Sequence, residues 1–164
     1  MRRPQFVLLL FALLAGFQVW HYLPLLPDRV ASHFNGQGNA DGFAAKADFA
    51  KTEIVVFAIL VALFLLLPKL TRLFPVSMIN LPNKDYWLAE ERREETLNAL
   101  EDWMGWFGVL TLALLLAVME LAILANLSPK PRFDSAMATA LLVIYAGGAL
   151  FMMGLMLWRF RRPA

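Results

Sequence analysis

Apolar residues gather into four long stretches, Phe6–Leu26, Ile54–Leu67, Trp103–Leu127 and Ser135–Trp158, separated by segments rich in charge, proline and glycine. Crossing the hydrocarbon core takes about 20 apolar residues in helical form, and three of the stretches meet that length directly. Ile54–Leu67 is shorter, roughly 21 Å as a helix. Thr52-Glu53 on one flank and Pro68–Phe74 on the other complete it, with Lys69 and Arg72 reaching toward the headgroups. A re-entrant segment is the alternative, but it would bring the loops before and after it to one side. The pattern predicts an all-α membrane protein, a four-helix transmembrane bundle with spans near 6–26, 52–72, 103–127 and 135–158 in a single integral domain over residues 1–164.

Composition supports this class. The apolar fraction is 60% and mean hydropathy is +0.59, above the soluble norm of about 45–50% apolar. A net charge of +2 gives no footprint for nucleic acid, and the lipid bilayer is the expected partner. Cysteine is absent, which excludes disulfides, thiolate metal sites and cysteine nucleophiles. Met1-Arg2-Arg3-Pro4 before an apolar run has the look of a signal peptide. The run continues through Phe17, Trp20 and Tyr22 without a small-x-small cleavage site, so an uncleaved first span is expected.

Charge sets the expected orientation. Arg2, Arg3, Lys69, Arg72, Lys84, Arg92, Arg93, Arg159, Arg161 and Arg162 fall on one side, ten of the 15 basic residues. Arg29, Lys46, Lys51, Lys130 and Arg132 fall on the other. The basic side is cytoplasmic by the positive-inside rule, so both termini are expected inside. Trp20, Trp103, Trp106 and Trp158 lie near span ends and Trp87 in a connector, the headgroup level that indoles favour.

The connectors differ. The outer loop 27–51 holds Val30, Phe34, Phe43 and Phe49 among polar residues, which predicts an ordered loop. Pro24 and Pro27 end the first helix, and Asn35-Gly36-Gln37-Gly38-Asn39 supplies turn chemistry. The inner connector 75–102 begins irregularly at Pro75 and Pro82. From Asp85, a plausible N-cap, it becomes an amphipathic helix whose Leu97, Leu100 and Met104 lead into the third span. Its charged block 90–95 suits either an interfacial helix or a solvated extension laced by Glu/Arg pairs.

Glu120 is the acid set deep in a span. A carboxylate at a helix centre costs about 2.5–3.5 kcal/mol on insertion scales and so faces protein or water. His21 lies at a matching depth, which suggests a Glu120–His21 hydrogen bond or ion pair, and Tyr145 could reach the same neighbourhood. The bland alternative is a set of hydrogen-bonded packing residues. Gly105, Gly108, Gly147, Gly148 and Gly154 permit close helix approach without forming a GxxxG pair. In the outer loop, His33, Asn35, Asp41 and Lys46 are the candidate ligand-binding residues. His33, Asn35 and Asp41 with Asp28 could hold a divalent cation, but their spacing matches no metal signature, and no metal or cofactor is expected. Walker, HExxH, GxSxG and dinucleotide motifs are all missing, so no catalytic residue is assigned and an enzyme is not expected.

Leu26-Pro27-Asp28-Arg29-Val30, His33-Phe34-Asn35, Gly38, Asp41-Gly42 and Lys46 together resemble an uncharacterised bacterial membrane domain that also forms the first part of SdpI-type immunity proteins. Leu81-Pro82-Asn83-Lys84-Asp85-Tyr86-Trp87 with Glu91-Arg92-Arg93 is similar to the inner connector of that group. The resemblance covers the first two spans and both first loops. It implies a multi-pass protein of the bacterial cytoplasmic (inner) membrane and, in the SdpI type, protection against a secreted toxin. This chain is shorter and lacks the additional spans of that type. The leading expectation is a non-catalytic protein for SdpI-like immunity or sensing, binding an extracytoplasmic peptide through the His33/Asn35/Asp41 loop. An accessory subunit with a membrane-protein partner, or a small proton-sensitive transporter using Glu120 and His21, are the alternatives.

Overall fold

The computed structural model describes residues 3–161; Arg2 and Arg162 of the charge count and the start of the Met1–Pro4 segment lie outside the described residues. Helix α1 (Arg3–Tyr22) leads through a turn into a hairpin of β1 (Arg29–Phe34) and β2 (Ala40–Ala45). Helix α2 (Lys46–Leu70) then returns across the molecule. Two 3-10 turns and the one-turn helix α3 (Lys84–Trp87) connect it to α4 (Arg93–Asn126) and then α5 (Ser135–Arg159). Four of these helices, α1, α2 with its 3-10 extension to Leu73, α4 and α5, are long and apolar enough to cross a membrane. Thr52-Glu53 belongs to a continuous α2 of 25 residues, which removes the shortness of the second span.

Helices α1, α2 and α4 pack against one another, while α5 packs chiefly on α4. Their shared core is Leu8, Ala15, Phe57, Val61 and Leu112. The buried positions of α1 are Pro4, Leu8, Ala15 and Gln18, spaced by three, four or seven, the stripe that one helix face presents. Small residues set the crossings: a Cβ on Gly105 would meet Pro4 at 2.8 Å and one on Gly108 would meet Phe64 at 2.5 Å. Gly148 approaches Leu110 less tightly, and Gly147 and Gly154 have open space around them. Helix α5 buries none of its residues, as expected of a rod whose solvent is lipid.

The inner connector is not one helix from Asp85. Helix α3 stops at Trp87, the chain turns over Leu88–Arg92, and α4 starts at Arg93. Asn83, not Asp85, precedes α3, in the left-handed region at φ 52°. The expected amphipathic face exists within α4: Leu97 packs with Ile79, Leu81, Leu88 and Phe160, and Leu100 and Trp103 border them. The Phe160 carbonyl closes this end by accepting from Trp87 Nε1 at 2.9 Å and Asn83 Nδ2 at 3.1 Å. At 34 residues, α4 is ~51 Å long and so extends beyond the hydrocarbon at the connector face. The hairpin and the α4–α5 turn form the opposite face.

Candidate functional site

Two polar constellations stand out, one on the hairpin and one among the helices beneath it. The outer loop is a two-stranded antiparallel hairpin in which Val30 pairs with Ala44 and Ala31 with Phe43, with irregular register near His33. Asn35 builds its tip. The side-chain oxygen accepts from the backbone N–H of Gln37 and of Asn39, both at 3.0 Å, the local substitute for a backbone turn that asparagine offers. Gly38 takes φ +79° beside the Phe133 carbonyl, where a Cβ would sit at 2.3 Å. The Gly38 carbonyl in turn accepts from Phe133 N at 2.8 Å, and Phe34 stacks on Phe133 at 5.2 Å. The hairpin tip is thereby tied to the α4–α5 turn.

Its base is tied as firmly. Lys46 Nζ donates to the Leu26 carbonyl at 3.2 Å and pairs with Asp28 at 3.1 Å. Asn126, 2% exposed at the end of α4, accepts from Ala31 N at 2.6 Å and donates to the Ala31 carbonyl at 2.9 Å. It also donates to the Ala122 carbonyl in its own helix. Leu26, Val30 and Ile123 pack under this contact. Two of the candidate binding residues are therefore structural in part: Asn35 shapes the turn and Lys46 closes the loop. His33 and Asp41 differ, since their side chains pair with each other while remaining 72% and 44% exposed. The four groups considered for a cation do not converge, because Asn35 faces its own turn and Asp28 lies with Lys46 at the base.

Beneath the hairpin, Glu120 on α4 accepts from Gln18 Nε2 at 2.6 Å and from the Tyr22 hydroxyl at 2.6 Å, both on α1. His21 is not its partner. Adjacent residues on a helix point about 100° apart, and it is Gln18 and Tyr22, four apart, that share the face toward α4. His21 instead turns outward, stacked with Phe17 at 6.0 Å and edge-on to Tyr22 at 4.8 Å. Tyr145 is not part of the cluster either. Its hydroxyl lies 3.3 Å from Thr111 Oγ1, and Thr111 is ~13.5 Å along α4 from Glu120.

A second carboxylate completes the cluster. Glu53 on α2 is 3% exposed, within electrostatic reach of Glu120, and its Oε1 has no hydrogen-bond partner. Gln18 is 7% exposed and its Oε1 also has no partner. Among the described residues no Lys or Arg hydrogen-bonds either acid. Beside the cluster a groove of about 500 Å³ runs between α1 and α4, lined by Leu14, Phe17, Gln18, His21, Tyr22, Ala113, Leu116, Ala117 and Glu120. Sequence reasoning reached Glu120 but missed Gln18, Tyr22, Glu53 and Asn126. The stripe through Leu8, Ala15, Gln18 and Tyr22 was the available signal for two of them.

Residues 7–50 match the family described as a domain of unknown function, DUF1648. The matched segment runs from α1 through the hairpin into the first turn of α2, so it includes Gln18, Tyr22, His33 and Asp41. Glu53, Glu120 and Asn126 lie beyond it. No curated protein and no solved structure matches the chain.

Proposed function

We propose that this chain is a non-catalytic binding protein of a bacterial inner membrane, in which the hairpin meets an extracytoplasmic ligand for SdpI-like immunity or sensing. One observation carries the reading. The hairpin is fastened at its tip, base and underside, while the His33–Asp41 pair, which links β1 to β2, stays exposed on it. A rigid scaffold presenting polar groups to water keeps the ordering entropy of binding low. Phe43, 51% exposed on β2, adds an apolar anchor for a peptide.

Orientation follows from the same logic. Lys69, Arg72, Lys84, Arg92, Arg93 and Arg159 cluster at the connector face, which supports cytoplasmic termini and an external hairpin. The natural lack of cysteine gives a clean test: Gly36→Cys is expected to react with an impermeant maleimide on intact cells, and Glu91→Cys only after permeabilisation. Function is tested by challenging a sensitive host with membrane-active peptides secreted by competing strains. Cells making the wild-type chain are expected to survive a peptide that kills cells making His33→Ala/Asp41→Ala at equal membrane levels. Equal survival with both chains, or with neither, rejects the reading.

A further inference from the structure

Among the described residues no Lys or Arg pairs with the carboxylates under the hairpin. Glu120 is held by two neutral donors, Gln18 Nε2 and the Tyr22 hydroxyl. Glu53 is buried behind it with Oε1 unmatched. In a low-dielectric interior, an acid pair without a cation is strongly disfavoured. Gln18 lines the groove, is more than nine-tenths buried, and has a side-chain oxygen without a partner. The Gln18 oxygen is enclosed, whereas the half-buried Glu120 carboxylate borders the groove and keeps acceptor capacity beyond its two donors.

The groove describes the rest of the ligand. Leu14, Ala113, Leu116 and Ala117 give it an apolar floor, and Phe17, His21 and Tyr22 form an aromatic rim. Phe17 is 58% exposed and Leu14 is 39% exposed on the outer surface of α1, so the groove is reached from the bilayer side. Its volume falls in the range of about 300–1,000 Å³ typical of small-molecule sites. Inorganic cations require shells of oxygen ligands, and these walls do not supply them. Aromatic faces do attract organic cations.

We infer that the α1–α4 groove binds an amphiphilic organic cation that enters from the lipid, its charged head on Glu120 and its apolar body along Leu14, Phe17 and Leu116. Glu53, buried within electrostatic reach of Glu120, is a positioning residue. The site is separate from the His33–Asp41 surface.

The test uses the full chain in phosphatidylcholine nanodiscs and equilibrium dialysis of radiolabelled tetraphenylphosphonium. Saturable binding is expected, displaced by dodecyltrimethylammonium but not by dodecanol or by sodium chloride. Glu120→Gln is expected to weaken binding at least about tenfold, with Glu120→Asp restoring most of it. Ala117→Trp fills the groove without removing either acid and is expected to abolish saturable binding while leaving the melting temperature near that of wild type. That variant decides the matter if Glu120→Gln does not fold. His33→Ala is expected to bind as wild type does, which separates this site from the hairpin function. Unsaturable binding, equal displacement by dodecanol, displacement by sodium, or wild-type affinity in Glu120→Gln or Ala117→Trp would each overturn it.

Discussion

The two ends of the bundle both contain acids, yet they treat them differently. At the connector face Glu101, 8% exposed, meets Arg72 at 3.2 Å and Gln5 at 2.7 Å. Arg72 also pairs with Glu94 at 2.9 Å, and Arg159 pairs with Glu95 at 3.1 Å while lying over the Trp87 ring. At the hairpin face Asp28 pairs with Lys46 at the hairpin base, but Glu53 and Glu120 among the helices are met by neutral groups or by none, and the hairpin's underside is anchored by an amide, Asn126. A network that exists to hold helices together balances its own charge.

That contrast can be broken experimentally. The largest effect is expected at Asn126, because Asn126→Ala strands the N–H and the carbonyl of Ala31, which is 0% exposed. Each lost partner costs roughly 1–3 kcal/mol. Thermal unfolding in nanodiscs and faster amide exchange across 29–34 and 40–45 would register it; unchanged exchange there would show that the hairpin is held otherwise.

Next in size is a pair of substitutions predicted to act in opposite directions. Glu101→Gln leaves Arg72 short of a buried charge partner and is expected to lower stability by about 2 kcal/mol. Glu53→Gln removes a buried carboxylate that lacks a basic partner and is expected to raise stability by about 1 kcal/mol. If both lower the melting temperature alike, the two ends are equivalent and the contrast fails.

Gly38→Ala is expected to cost about 1–3 kcal/mol, since the new Cβ combines a left-handed backbone with a clash against Phe133. Its loss should appear at the hairpin tip and leave the connector face unchanged in exchange experiments. The smallest effect is Arg159→Ala, where an exposed pair contributes roughly 0–1 kcal/mol. Raising salt should shrink that difference further and should not touch the effect of Asn126→Ala.

The helices were legible in the sequence because lipid exposure imposes long apolar runs with few breaks. Their ends were less so. Helix α1 stops at Tyr22, short of Pro24, whereas α2 begins at Lys46 because polar residues extend a helix beyond the hydrocarbon. The ordered loop was readable from its buried-type residues Val30 and Phe34, but its anchoring was not, since the edge of β1 is met by Asn126, 95 positions away. Glu120 announced itself by contrast with its neighbours. Glu53 did not, because at the start of an apolar run it looks like a solvated flank. Gln18 was overlooked because matching depths pointed to His21, and depth ignores the 100° per residue that decides which side chain faces inward.

Asn126 has one more consequence. By accepting from the N–H and donating to the carbonyl of Ala31, its amide imitates the peptide group of a third strand laid along β1. An unmatched strand margin is a template on which other chains can pair and polymerise. Here a helix terminus covers that margin at Ala31, where the N–H and carbonyl of the two-stranded ribbon would otherwise lie open.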